Sequence, residues 1–160
     1  MIKKKDIEIA SLIFSFFVLF ISIEIYTHIM TQALMGDVGK ILAISVVFLI
    51  LISMIPPLLS KMRFSNLFVG IFSFVYLFLT GFLLLRFLPT MRKISESYDH
   101  SGSIPVFGSF DPAGVDFQFY EILFTILLAL FSIITVYSIA VAALREMKIN
   151  SKRFKVVHSD

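Results

Sequence analysis

Three stretches of the chain contain no Asp, Glu, Lys, Arg or His: Ile41–Ser60, Phe64–Leu85 and Ile122–Leu144, of 20, 22 and 23 residues. About 18 such residues suffice to propose a bilayer-spanning helix. Backbone amides in hydrocarbon must find their partners within the segment, so each run reads as α-helix. A fourth run, Ile9–Ile23, is 15 residues long and is broken by Glu24 and His28 before its apolar character fades near Met30. Lys3, Lys4 and Lys5 ahead of it, and Thr31-Gln32-Ala33 behind it, are also the marks of a cleaved secretory signal. The polar approach from Glu24 to Ala33 is long for a cleavage region, so the run is taken as a retained first helix.

The pattern predicts an all-α polytopic membrane protein: an antiparallel bundle of four transmembrane helices forming one domain over residues 1–160. The expected helices cover residues 7–30, 41–60, 66–88 and 118–144, with an aromatic-rich outer loop over 89–117 and a basic tail over 145–160. Pro56-Pro57 near the end of the second run predicts a kink or, more simply, the helix end leading into a turn at Lys61.

Small and polar residues indicate which faces pack. On the fourth helix Glu121, Thr125, Ala129, Ser132, Val136, Ala140 and Ala143 recur at spacings of three and four, forming one stripe. In lipid such faces let backbones approach closely, so the stripe is expected to face inward, with contact to another subunit as the alternative. Shorter versions are Gly70, Ser73, Thr80 and Gly81 on the third helix and Ser45, Ser53 and Ser60 on the second.

Composition agrees with the pattern: 58% of residues are hydrophobic and 16% charged, against about 45–50% and 25% in ordinary soluble domains. Charge sets the orientation. With four crossings, one side carries ten basic residues (three before the first helix, Lys61 and Arg63 in the turn, five in the tail), and the other carries only Lys40, Arg92 and Lys93. That asymmetry places both termini in the cytoplasm, with a prokaryotic cell membrane as the expected location. The overall charge of +3 reflects topology, and no nucleic-acid partner is expected. The basic tail is expected to meet anionic lipids at the cytoplasmic face. The absence of cysteine excludes disulfides, thiolate metal sites and dithiol relays.

Candidate chemistry is sparse. Glu24, His28, Arg86 and Glu121 fall at similar depth near the outer surface, and an intramembrane ionisable residue is a functional hypothesis with a partner to be named. The expected pairing is Arg86 with Glu24 or Glu121, with His28 titrating near neutral pH. In the outer loop Asp111-Pro112-Ala113-Gly114 fits a type I turn. The surrounding Phe107, Phe110, Phe117 and Tyr120 suggest a docking surface. Asp99-His100 with Asp111 and Asp116 makes a weak ligand set without helical His spacing, so no cofactor is expected, with metal or quinone left open.

The function that follows is a small non-enzymatic membrane subunit packing against other membrane proteins in a larger complex. The alternatives are an ion- or proton-conducting component using the polar cluster, and a quinone- or metal-binding subunit of a membrane oxidoreductase.

Overall fold

The computed structural model describes residues 4–32, 36–62, 64–97 and 115–157, and every element among them is helical. Helix α1 spans Lys4–Gln32, α2 Gly36–Leu59 and α3 Ser65–Phe82. A π-helical turn over Leu83–Phe87 joins α3 to α4, Leu88–Ser97, and α5 spans Phe117–Val157. Four stretches are long and apolar enough to cross a membrane: Lys5–Thr31, Asp37–Leu59, Ser65–Glu96 and Phe117–Lys148. Their outer surface is apolar, with Phe14, Phe17 and Phe20 of α1 exposed by 69%, 61% and 70%. Contiguous apolar surface on this scale is foreign to a protein bathed in water.

The third and fourth expected helices run well past their expected ends, each for a local reason. α2 stops two residues beyond Pro57, with the Ser60 N–H reaching back to the Pro56 carbonyl at 3.0 Å. The helix thus carries both prolines within its last turn. The third expected helix does not end near Leu88, and the segment up to Ser97 is helix, not loop. Pro89 lacks an N–H and crowds the preceding turn. The chain widens just before it, the Leu88 N–H bonding to the Leu83 carbonyl five residues back, and such an expanded turn leaves room for the ring. α5 does not end at Leu144: it continues to Val157 because Arg145–Val157 contains no glycine or proline to stop it.

The helices pack side by side, α1 along α2 and α3 along α5, with α3 also touching α1 and α2. The core where they meet is built from Leu19 and Tyr26 of α1, Ile50 and Met54 of α2, Tyr76 of α3, and Phe124 and Phe131 of α5, all at most 1% exposed. Tyr76 is the hub: its ring meets Tyr26 edge-on at 5.5 Å and stacks with Phe131 at 5.4 Å.

Gly70 lets α3 approach α5 closely. A β-carbon there would lie 3.3 Å from Ile139 Cγ1 and 3.5 Å from Ser138 Cβ. The small residues of α3 thus do face a neighbour. Those of α5 do not: Thr125, Ala129, Val136, Ala140 and Ala143 are exposed and Ser132 is half-buried. The buried face of α5 is Tyr120, Phe124, Leu127, Phe131, Thr135 and Ser138, roughly on the opposite side of the helix. The expectation that the stripe points inward is corrected: within this chain α5 packs through its large rings, Tyr120, Phe124 and Phe131.

Candidate functional site

The four ionisable residues singled out in the sequence do not assemble. Glu121 forms an ion pair with Arg92 of α4 at 2.8 Å, not with Arg86. Glu24, His28 and Arg86 are exposed, and none of them forms an ion pair among the described residues. Arg86 sits within the π-turn, where Thr90 Oγ1 donates to its carbonyl at 2.7 Å. Arg92 falls within the expected outer loop, and the continuation of the helix past Pro89 carries it to α5 instead. Both partners are more than two-fifths exposed in their side chains, at 42% and 44%, and exposed pairs contribute only about 0–1 kcal/mol. Glu121→Ala is therefore expected to lower stability by no more than about 1 kcal/mol in a detergent unfolding titration. A loss several times larger would mean that the carboxylate is held by more than Arg92.

A second ion pair lies at the same end. Lys40 at the start of α2 reaches Asp116 at 2.9 Å and Asp37 at 3.6 Å. Asp116 also caps α5, accepting the Phe119 N–H on Oδ1 at 3.0 Å. The hydrogen bond from Lys40, and then that from the Phe119 amide, hold the Asp116 carboxyl below its ordinary range. Each cation lies over a ring, Lys40 5.4 Å from Phe119 and Arg92 5.5 Å from Phe117. Of the aromatics expected to form a docking surface, Phe117 and Tyr120 are described, and both have contacts within the chain. Tyr120 is 1% exposed and its ring lies 6.0 Å from Phe124, while Phe117 is half-buried. Phe107, Phe110, the Asp111–Gly114 turn and Asp99-His100 lie outside the described residues.

The most developed polar constellation is a ladder of hydroxyls between α1, α3 and α5. The Tyr76 hydroxyl donates to the Leu19 carbonyl at 2.8 Å and lies 2.8 Å from Ser22 Oγ. One turn further, Thr80 donates to the Tyr76 carbonyl at 2.7 Å, so Tyr26 donates to Thr80 across the 2.6 Å that separates them. From the same face of α3, Ser73 meets α5, its Oγ lying 2.9 Å from Thr135 Oγ1. All six of these side chains are buried. None carries a charge at neutral pH, so the ladder joins helices by hydrogen bonds and offers no nucleophile–base pair. Asn66 Oδ1 and Ser138 Oγ, at the other end of the α3–α5 seam, are buried without a hydrogen-bond partner among the described residues.

The sequence reading picked out Ser73 and Thr80 but passed over Ser22, Tyr26 and Tyr76. Their signal was available: Ser22 and Tyr26 are four apart, and Ser73, Tyr76 and Thr80 three and four apart, each set on one helix face within an apolar run.

The amino-terminal end, where α1 begins and α2 ends, holds a further knot. Ser60 donates to Glu8 Oε1 at 3.0 Å and accepts the Met62 N–H at 3.1 Å. Arg145 of α5 donates to the Met62 and Ser60 carbonyls at 3.3 and 3.4 Å, tying α5 to the turn after α2.

Among the described residues no group of three potential metal ligands converges. Comparison of the chain with protein-family models, with curated proteins and with solved structures finds no match.

Proposed function

We propose that the chain is a small non-enzymatic membrane subunit, an antiparallel bundle of four spans with both termini on the cytoplasmic side. In this reading α5 presents its small-residue face to a helix of a partner membrane protein. The observation that carries the reading is the exposure of Thr125, Ala129, Val136, Ala140 and Ala143 on the side of α5 turned away from Phe124 and Phe131. Within a bilayer, small residues at spacings of three and four permit close helix approach, and van der Waals packing then replaces the missing hydrophobic drive. The orientation is supported by the ten basic residues on one side against three on the other.

Purification in mild detergent, followed by sizing and identification of co-purifying chains, tests the proposal. Ala129→Leu and Ala140→Leu are expected to weaken the assembly by about fivefold or more, since overpacking an interface costs about 1–3 kcal/mol. Stability of the isolated chain is expected to stay unchanged, because neither side chain packs within it. An assembly of unchanged size and composition in both variants would assign this face to lipid.

A further inference from the structure

We infer that the groove between α1 and α3 at the amino-terminal end is a binding site for an anionic phospholipid, its acyl chain lying in the groove and its phosphate held by Lys5 and Lys61. The inference rests on the membrane-spanning reading and adds a specific lipid to it. The groove has a volume of about 410 Å³ and is lined by Ile9, Ile13 and Phe16 of α1 with Met62, Phe64 and Phe68 beside them. The hydroxyl of Ser65, its one polar side chain, is already committed to the Met62 carbonyl at 2.9 Å. Such a surface has nothing to offer a polar ligand along its length, and matches a hydrocarbon chain.

The mouth of the groove is different. Lys5 lies one turn before Ile9 on the same face of α1, and Lys61 immediately precedes Met62. Both lysines are exposed, and neither forms an ion pair among the described residues. Glu8 belongs to the neighbouring groove on the α2 side of α1, where it accepts the Ser60 hydroxyl. From Lys5 to Phe16 the helix rises about 16 Å, close to the depth of one hydrocarbon leaflet, about half of 30 Å. A headgroup at the lysines therefore leaves its chain alongside Ile13 and Phe16.

The test uses the absence of tryptophan from the chain. A single tryptophan at Ile13→Trp reports on the groove, and Phe68→Trp serves as a second reporter from the opposite wall. Ile126→Trp, on the exposed face of α5, reports on the general lipid surface. Each full-length variant is reconstituted in phosphatidylcholine vesicles containing chain-brominated phosphatidylglycerol or, separately, chain-brominated phosphatidylcholine. The expected result is stronger quenching of the groove tryptophans by the anionic lipid, with no such preference at Ile126→Trp. Each lysine near an anionic headgroup is worth roughly a factor of five, so a preference of about 25-fold is expected at low salt. Lys5→Gln with Lys61→Gln is expected to remove it while both brominated lipids still quench. Equal quenching by the two lipids at both groove positions would overturn the site but leave the membrane reading intact. Absence of quenching by either lipid at all three positions would overturn the membrane reading itself.

Discussion

Replacing Tyr76 with alanine is expected to destabilise the chain by about 3–5 kcal/mol, the range for truncating a large buried aromatic. Tyr76 is 0% exposed and is the side chain on which α1, α3 and α5 converge. Its removal leaves a cavity bounded by the rings of Tyr26 and Phe131, which cannot close over it without moving their own helices. Tyr76→Phe separates the ring from the hydroxyl. An interhelical hydrogen bond within a membrane protein averages about 0.6 kcal/mol and reaches about 1.7. Ser22 keeps its own bond to the Leu19 carbonyl at 3.1 Å, so the lower figure is expected. Equilibrium unfolding of both variants in mixed micelles measures the difference. If phenylalanine proved as damaging as alanine, the hydroxyl ladder and not the ring would be holding the three helices together.

The second large effect is expected at Gly70. Leucine there would push α3 away from α5, costing about 1–3 kcal/mol in overpacking and stretching the contact between Ser73 and Thr135, now 2.9 Å. Alanine is a different case. Its β-carbon meets Ile139 Cγ1 at 3.3 Å, an atom of a side chain that can rotate slightly, and Ser138 Cβ at 3.5 Å, an ordinary contact. Against that small cost stands the better helix propensity of alanine, about 1 kcal/mol. Gly70→Ala is therefore expected to be near neutral in the same unfolding measurement, with Gly70→Leu clearly destabilised. Equal tolerance of both would mean that the helices separate without loss.

The spans were legible because lipid imposes a crude rule, and runs of about 20 residues without charge satisfy it whatever their internal order. Which side of a span faces its neighbours was less legible. The same rule leaves every side apolar, so the sequence contrast falls to small and hydroxylated residues. On α3 that contrast pointed correctly: Gly70, Ser73 and Thr80 are buried or packed. On α5 the same reasoning chose Ala129 and Ala140 over Phe124 and Phe131, which do the intrachain packing. Small residues mark a place where backbones can come close; they do not say which backbone.

The ionisable cluster was lost for another reason. Similar depth along separate helices says nothing about rotation around each axis, and Glu24, His28 and Arg86 all turn outward. Pro89 supplied the remaining error. A proline after an apolar run reads as a terminator, and nothing in the composition of Leu83–Phe87 announces the wider turn that absorbs it.

That turn has a consequence for everything beyond it. An α-helix advances about 100° per residue, and a π-helical turn accommodates one extra residue in a single revolution. The segment after Phe87 is consequently out of phase with Ser65–Phe82 by about 100°. In an unbroken helix Leu88 would fall in line with Gly70, and Arg92 with the exposed Phe74, each eighteen residues earlier. The slip in phase puts Arg92 in line with Ser73, which meets Thr135 of α5, and Arg92 arrives at Glu121; Leu88 takes the phase of Val69 and is 1% exposed. The ion pair at that end is thus set by a timing step in the backbone one turn earlier, as a skipped tooth sets the position of every later tooth on a gear.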